Sequence, residues 1–529
     1  MSVGRPRRPG WKTVIRGCLA LALVAAPVIA TSPAPARSDR PRIEQAVRSA
    51  VRSDRDLKTF YKSRGYRPLW IRGAAPGPEA DRLVALVSRA DLDGIDPRRY
   101  KPRELVETVA KARGGSAKAL AKAEMSLSRT LAAYVRDTRA ARDVGMVFVD
   151  RELAPGTPPP RIALAGAARA PSLAAYLDRM EWMNPLYAQL RGALESGQYG
   201  RTSSSGTQVP AGPLMKLGAS GPRVELLRQR LGLAANGIFD ASVATAVREF
   251  QVARGLPDDG VAGPLTIAAL NEPTPDREAQ LRLNLERARA LPPAEGGRYV
   301  LVDAAAARLS MVENGRVVDT MKVIVGKPSE QTPMLAAYIR HAMLNPYWHM
   351  PPDLVRLRIV PNVLKKGPGW LRKSGYEVVS DWTDDARVVD PARVDWAAVA
   401  AGRLDLPVRQ LPGKGNAMGR MKFMLPNDLG IYLHDTPEKE LFAKADRRFS
   451  SGCVRVEDAP RLARWLFGKV PMTKSAAPEQ RVNLPQPVPV YITYLTAAPA
   501  GERIAFSSDP YGRDRASLAQ ADPRAHARR

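Results

Sequence analysis

The sequence predicts a multidomain α+β protein, with a helical N-terminal half and a mainly β C-terminal third. Apolar residues recur three and four apart from about residue 42 to residue 200, and the spacing changes to alternation from Arg298 onward. Between these regions, residues 199–212 are rich in Gly, Ser, Thr and Pro and have the composition of a linker. A length of 529 residues suits two to four domains at roughly 100–200 residues each. With 45% hydrophobic and 25% charged residues, the chain has material for several cores and is too polar for a multispan membrane protein.

Residues 1–36 read as a secretory signal peptide. Arg5, Arg7, Arg8, Lys12 and Arg16 form a basic start, residues 19–30 an apolar run, and Ala34-Pro35-Ala36 a small-residue cleavage site. The run is shorter than the ~20 apolar residues that span a bilayer, and Pro27 interrupts it. No transmembrane span is expected after cleavage. Lys and Arg total 81 against 53 Asp and Glu, a formal charge of +28, and loss of the five cations in residues 1–36 leaves +23. Outside the cytoplasm, such a charge points to the cell wall or a membrane surface as the polyanion and not to nucleic acid.

Residues 37–198 read as a helical scaffold, with apolar faces at 83–90 and 117–135 and Gly/Pro punctuation at 73–77 and 156–160. They contain no His or Cys, and their acids are scattered. After the linker, residues 213–273 form a three-helix unit. Val224, Leu227 and Leu231 share one helical face, Val243, Val247 and Phe250 a second, and Leu265 and Leu270 mark a third short helix. The turns Asn236-Gly237-Ile238 and Asp259-Gly260-Val261 each precede a helix. With Leu217-Gly218, Phe239, Gln251, Gly255-Leu256, Gly263 and Thr266, this run resembles the small three-helix peptidoglycan-binding domain. It departs at Asp240 and Val243, where that family more often has Gly and Thr. The alternative is a three-helix spacer.

Residues 298–498 read as the β unit. Tyr299, Leu301, Asp303, Leu309 and Met311 alternate, Glu313-Asn314-Gly315-Arg316 supplies a hairpin turn, and Val317, Val318, Met321, Val323 and Val325 continue as strand. Further strands are expected at 430–434 and 490–497, and Asp458 is placed to cap a helix through Leu466. Residues 351–415, with Trp370, Trp382 and Trp396, lack alternation and read as an inserted lid. Residues 499–529 read as a disordered tail.

The chain has two cysteines, and Cys18 lies in the signal, so the exported protein carries one thiol, Cys453. An unpaired thiol in an oxidising compartment is a liability unless it is buried or used. His434 ends a strand candidate 19 positions earlier. A free thiol has a pKa near ~8.5, and an adjacent imidazole that takes its proton makes it a nucleophile. The amides of Ser451, Gly452 and Cys453 can form an oxyanion hole, and the backbone carbonyl or side chain of Asp435 is nearest in sequence to set the imidazole tautomer. On the residues alone, cysteine-histidine acyl transfer and a packed core pair stand level. His341 and His349 lack Cys or carboxylate partners at ligand spacing, and the glycines of 413–419 are followed by no Gly-Lys-Ser/Thr. No metal, nucleotide or other cofactor is expected.

The pattern His434, then Ser450-Ser451-Gly452-Cys453-Val454-Arg455, resembles the signature of L,D-transpeptidases, cysteine enzymes that cross-link peptidoglycan stem peptides. Val323-Ile324-Val325-Gly326-Lys327-Pro328, Thr332-Pro333, Asn345-Pro346-Tyr347-Trp348, Gly415-Asn416-Ala417, Lys422-Phe423 and Tyr432-Leu433-His434-Asp435-Thr436-Pro437 are similar to the large periplasmic branch. Members of that branch carry an N-terminal scaffold, a peptidoglycan-binding domain and a lid. Phe60-Tyr61, Pro68-Leu69-Trp70 and Gly94-Ile95-Asp96-Pro97 fit the scaffold.

The resemblance implies Cys453 as nucleophile, His434 as base, a thioester formed from a tetrapeptide donor, 3-3 cross-links and acylation by carbapenems. It also implies a periplasmic location with peptidoglycan stem peptides and glycan as partners, and leaves room for other cell-wall synthases. Many members have a second histidine where this chain has Ser451, so His434 alone remains as base. Ser450 is a candidate substrate contact. Arg455 either holds the site or a substrate carboxylate or makes a structural salt bridge, and Trp348 either lines the pocket or packs in a core. The alternatives are the same acyl-enzyme resolved by water, a free D-amino acid or a protein lysine, and a non-catalytic wall-binding scaffold.

Overall fold

Burial of one face organises the N-terminal helices around α1 (Ala117–Arg139), whose Leu120, Leu127, Leu131 and Val135 are buried and whose N-cap Ser116 accepts from the Ala119 amide. The computed structural model describes residues 40–521 except 198, 200–207, 255, 272–275, 295, 384 and 502. The proposed signal at 1–36 lies outside the described residues, as does most of the expected linker. Helices Arg40–Ala50, Pro102–Ala112 and Pro160–Arg169 pack against α1. Buried polar groups lock the bundle. Glu124 accepts from the Tyr61 hydroxyl at 2.6 Å and the Trp70 amide at 3.0 Å, and Asp93 accepts from the Tyr134 and Tyr187 hydroxyls at 2.6 and 2.8 Å. Strand β1 (Val147–Phe148) then leaves the bundle.

Helices α2 (Pro222–Arg230), α3 (Ala241–Arg254) and α4 (Pro264–Asn271) enclose Val224, Leu227, Phe239, Val243, Val247, Ile267 and Leu270. One sequence expectation changes here. Leu265 and Leu270 both fall on α4, where Leu265 is 69% exposed in the first turn after Pro264 and Ile267 and Leu270 face inward. Val209, read as linker, is buried in this core and exchanges hydrogen bonds of 2.8 and 2.7 Å with the Asn271 side chain. Asp240 accepts from the Val243 amide and pairs with Arg228 at 2.9 Å, so the departure from the resembling family serves as a helix cap. Helix α5 (Arg277–Arg289) follows.

Ten strands form one sheet whose order closes on itself. Strands β2 (Arg298–Asp303), β3 (Arg308–Glu313) and β4 (Arg316–Gly326) form a meander. Asn314 and Gly315 both take positive φ, 50° and 74°, in the tight β3–β4 turn, which matches the twist of the flanking strands. Strand β5 (Leu335–Leu344) pairs with β1 at one end. The insert begins with β6 (Trp348–Met350), which joins β7 (Tyr376–Val379), β8 (Val388–Val389) and β9 (Val408–Gln410) in a separate sheet of order β8-β7-β9-β6. The insert has its own core of Leu354, Ile359, Val363, Leu371, Trp396 and Val408.

Strands β10 (Met421–Met424), β11 (Leu433–His434), β12 (Arg448–Ser450) and β13 (Val454–Val456), helix α6 (Ala459–Phe467) and β14 (Gln480–Thr493) complete the barrel. The ring runs β10-β11-β13-β4-β3-β2-β14-β5 and closes by β5 pairing β10, while β12 pairs β4. Asp458 caps α6, accepting from the Arg461 amide at 2.9 Å. The expected strand at 430–434 shrinks to two residues because Asn427 gathers the Leu425 and Ile431 carbonyls and the Ile431 amide into a tight loop. The expectation of disorder from residue 499 is overturned as far as residue 521. β15 (Ala497–Ala500) and β16 (Arg503–Phe506) form a hairpin, and α7 (Arg513–Ala521) follows it.

Candidate active site

Parallel pairing of β11 with β13 sets Leu433 beside Val454 and His434 beside Arg455, and the Val454 amide donates to the Tyr432 carbonyl at 3.0 Å. Leu433, Val454 and Val456 fill the barrel core. Period-2 alternation therefore turns His434 and Arg455 to the opposite face, with Cys453 following the same alternation one residue before Val454. Cys453 is half-buried at the start of β13 and is the one cysteine among the described residues. Its thiol donates to the Gly430 carbonyl at 3.5 Å.

The His434 ring is buried, and its Nδ1 lies 2.6 Å from the Asp435 carbonyl oxygen. A carbonyl can only accept, so Nδ1 carries the proton and the Nε2 lone pair is left for other partners. The Asp435 carboxylate is engaged elsewhere, by the Lys439 ammonium at 2.8 Å and the Arg420 amide at 2.9 Å. Lys422 on β10 is the cross-strand neighbour of His434, as Arg455 is on the other side. Burial first, then the Arg455 charge, lowers the His434 pKa to about 3, and Lys422 adds to this. Burial likewise pushes the Cys453 thiol up to about 11, against smaller opposing effects of the Tyr432 backbone hydrogen bond and Arg455. The resting pair is thus a neutral thiol and a neutral imidazole.

The turn before β13 carries the candidate oxyanion donors. Gly452 has φ of +106°, a region that side-chain-bearing residues rarely adopt. Among the described residues, no acceptor takes the amide hydrogens of Ser451, Gly452 and Cys453. The carbonyls on either side are held: the Thr332 hydroxyl donates to Gly452 O at 2.8 Å and the Ser450 hydroxyl to Cys453 O at 2.6 Å. Ser450 is buried, with its hydroxyl turned to this turn. The Lys327 ammonium and the Ser451 hydroxyl beside Glu330 hold its carboxyl below the usual carboxylate range.

Arg455 pairs with Glu438. Trp348 packs against the core of the insert, under Arg358. A cleft of about 740 Å³ opens one residue beyond His434, lined by Asp435, Thr436, Arg420, Lys439 and Glu457, and Cys453 does not line it. Sequence reasoning gave no role to Thr332, Lys422 or Glu330. Thr332 and Lys422 stand inside the motifs that carry the resemblance, but their partners lie 120 and 12 positions away, in the turn before β13 and on β11.

Three family models match this chain: "L,D-transpeptidase catalytic domain" at residues 297–492, "Scaffold domain" at 55–194 and "Putative peptidoglycan binding domain" at 220–270. The chain carries an L,D-transpeptidase catalytic domain. A Haemophilus influenzae protein named "Putative L,D-transpeptidase" is 31% identical over 243 residues, 45% of this chain and 48% of that protein, so the chain spans about half the length of this curated relative. Among solved structures, an L,D-transpeptidase from Xylanimonas cellulosilytica is 20% identical, with 54% of this chain and 98% of that one covered at a TM-score of 0.16. One from Mycobacterium smegmatis is 14% identical, with 37% and 58% covered at 0.19.

The two shifted groups of the transpeptidase domain make its thiol chemistry pH-sensitive in a defined direction. With the thiol raised to about 11, iodoacetamide should alkylate Cys453 at neutral pH roughly 10²-fold more slowly than the same cysteine in urea-unfolded protein. The rate should climb toward pH 11 without a neutral plateau. A plateau between pH 5 and 8 would mean a resting thiolate-imidazolium pair and contradict this electrostatic picture.

Proposed function

We propose that this protein is an exported, periplasmic L,D-transpeptidase that forms 3-3 peptidoglycan cross-links through a thioester on Cys453. The observation that carries the reading is the lone thiol on one sheet face with an imidazole whose Nδ1 is spent on the Asp435 carbonyl. In the first half-reaction, Sγ of Cys453 attacks the carbonyl of the diamino acid in a tetrapeptide donor. His434 Nε2 takes the thiol proton and returns it to the amine of the departing D-amino acid. The amides of Ser451, Gly452 and Cys453 receive the developing oxyanion. In the second, an acceptor stem amine attacks the thioester, gives up its proton to His434 and releases the thiol.

The base role of His434 rests on its geometry, with Nδ1–H held by the Asp435 carbonyl and Nε2 left as the acceptor, and not on its resting basicity, which lies below that of a base matched to neutral pH. Burial, with the Arg455 and Lys422 charges beside it, disfavours the imidazolium, so the proton has to pass through His434 without resting there. The three-helix unit at 213–273 supports a second hold on the polymer. The pairing of β1 on β5, strengthened by Asp150 with Arg340, makes scaffold and barrel one continuous structure.

Incubation of purified protein with disaccharide-tetrapeptide tests the proposal. The expected product is a 3-3 linked dimer with one D-amino acid released per cross-link, identified by mass spectrometry of muropeptides. Tripeptide alone would show water as acceptor and overturn the cross-linking assignment, and absence of any released D-amino acid would overturn the acyl-enzyme itself.

A further inference from the structure

The segment after the barrel makes a clasp between α5 and the wall of the active site. On the α5 side, Asp514 forms a buried ion pair with Arg287 at 2.6 Å, and Asn284 donates to the Thr496 hydroxyl at 2.8 Å. The Tyr511 ring stacks on Tyr494 at 5.4 Å, and its amide donates to the Tyr494 hydroxyl at 2.9 Å. On the barrel side, the Tyr511 hydroxyl donates to Gly326 O at 2.6 Å, Arg513 Nη2 to Thr332 O at 2.8 Å and Arg513 Nε to Gln331 Oε1 at 3.1 Å. The Gln331 side chain donates back to Tyr511 O at 3.1 Å. These bonds grip the connection between β4 and β5 from both of its ends.

The held connection ends on Thr332, which is fully buried. Its hydroxyl receives the Gly326 amide at 2.8 Å and spends its own hydrogen on Gly452 O at 2.8 Å. The Gly452 carbonyl and the Cys453 amide belong to one peptide plane, with C=O and N–H pointing in opposite directions. Fixing the carbonyl therefore aims the amide. Gly452 by itself resists rotation of that plane less than any other residue would, so the aim has to come from outside the turn.

We propose that Thr332, Tyr511 and Arg513 are positioning residues: the C-terminal clasp holds Thr332, and Thr332 points the Cys453 amide at the oxyanion of the acyl-transfer step. The inference rests on the acyl-transfer reading of Cys453, but its test does not need the natural substrate. p-Nitrophenyl acetate acylates a thiol through a tetrahedral oxyanion. The sulfur bonds the acetyl carbon, the bond to p-nitrophenolate breaks, and the thiol proton passes to His434. Iodoacetamide alkylates the same sulfur by displacement of iodide, with no oxyanion.

Both rates would be measured at one fixed pH in the full chain for wild type, Thr332→Val, Thr332→Ser, Tyr511→Phe and Arg513→Gln. Removing an oxyanion donor costs about 10²–10³-fold, and misaiming one should cost about tenfold in Thr332→Val and about threefold in Tyr511→Phe and Arg513→Gln. Alkylation should change less than about twofold, and Thr332→Ser, which keeps the hydroxyl, should restore acylation. Unchanged acylation in Thr332→Val, or a parallel fall in both reactions across the variants, would overturn the proposal. A wild type that passes this test but releases no D-amino acid from tetrapeptide would refute the transpeptidase reading and leave the aiming of the amide intact.

Discussion

Cys453→Ala is expected to stop acyl transfer altogether, because without Sγ no thioester can form. The fold should survive. The side chain's described hydrogen bond is a weak one of 3.5 Å to Gly430 O, and the apolar neighbours that build the barrel, Leu433, Val454 and Val456, point the other way. A stability cost of about 1 kcal/mol or less follows for a half-buried site without a cavity to open. Muropeptide analysis should show no cross-linked dimer, and intact-protein mass spectrometry after carbapenem treatment should show an adduct on wild type that is missing from the variant. A carbapenem adduct that persists in Cys453→Ala would place the nucleophile elsewhere. His434→Ala should retain the thiol and lose about 10²–10⁴-fold, the usual worth of a positioned base. That difference separates the two roles.

The parts of this structure that were legible in the sequence are those whose signal is local. Asn314-Gly315 announces its hairpin because both positions need positive φ, and Asp458 announces α6 because a carboxylate before an apolar run satisfies free amides. The thiol and the strand-end imidazole stood out by scarcity of residue type. What was not legible depends on partners far away in the chain. Residues 499–521 read as disordered because they are short, polar and broken by Gly and Pro. Their order comes from Arg287, Gly326 and Thr332, each more than 180 positions earlier. Asp435 offered two groups toward His434, and Lys439 and Arg420 decide between them by occupying its carboxylate.

Gly452→Ala should separate thiol reactivity from acyl transfer more sharply than any other single change. At φ of +106° an alanine is strained by about 1–3 kcal/mol, whatever room its side chain has. Room is in fact nearly sufficient, because the added Cβ would meet Ile431 Cδ1 at 3.3 Å and the Gln331 carbonyl oxygen at 3.7 Å. The turn can therefore accept alanine by relaxing φ and need not unfold. Relaxing φ rotates the two peptide planes that flank residue 452, and these carry the Gly452 and Cys453 amides. The thiol keeps its Gly430 partner and its burial, so its alkylation rate should stay within about threefold of wild type, as it develops no charge at the turn. Acylation by p-nitrophenyl acetate and turnover of tetrapeptide should both fall by about 10²–10³-fold, the cost of withdrawing a preorganised donor from an oxyanion. The fall should appear in kcat with KM little changed, because the donors act on charge that exists only in the transition state. If Gly452→Ala acylates at the wild-type rate, then charge stabilisation does not come from this turn, and the donors have to be sought outside residues 451–453.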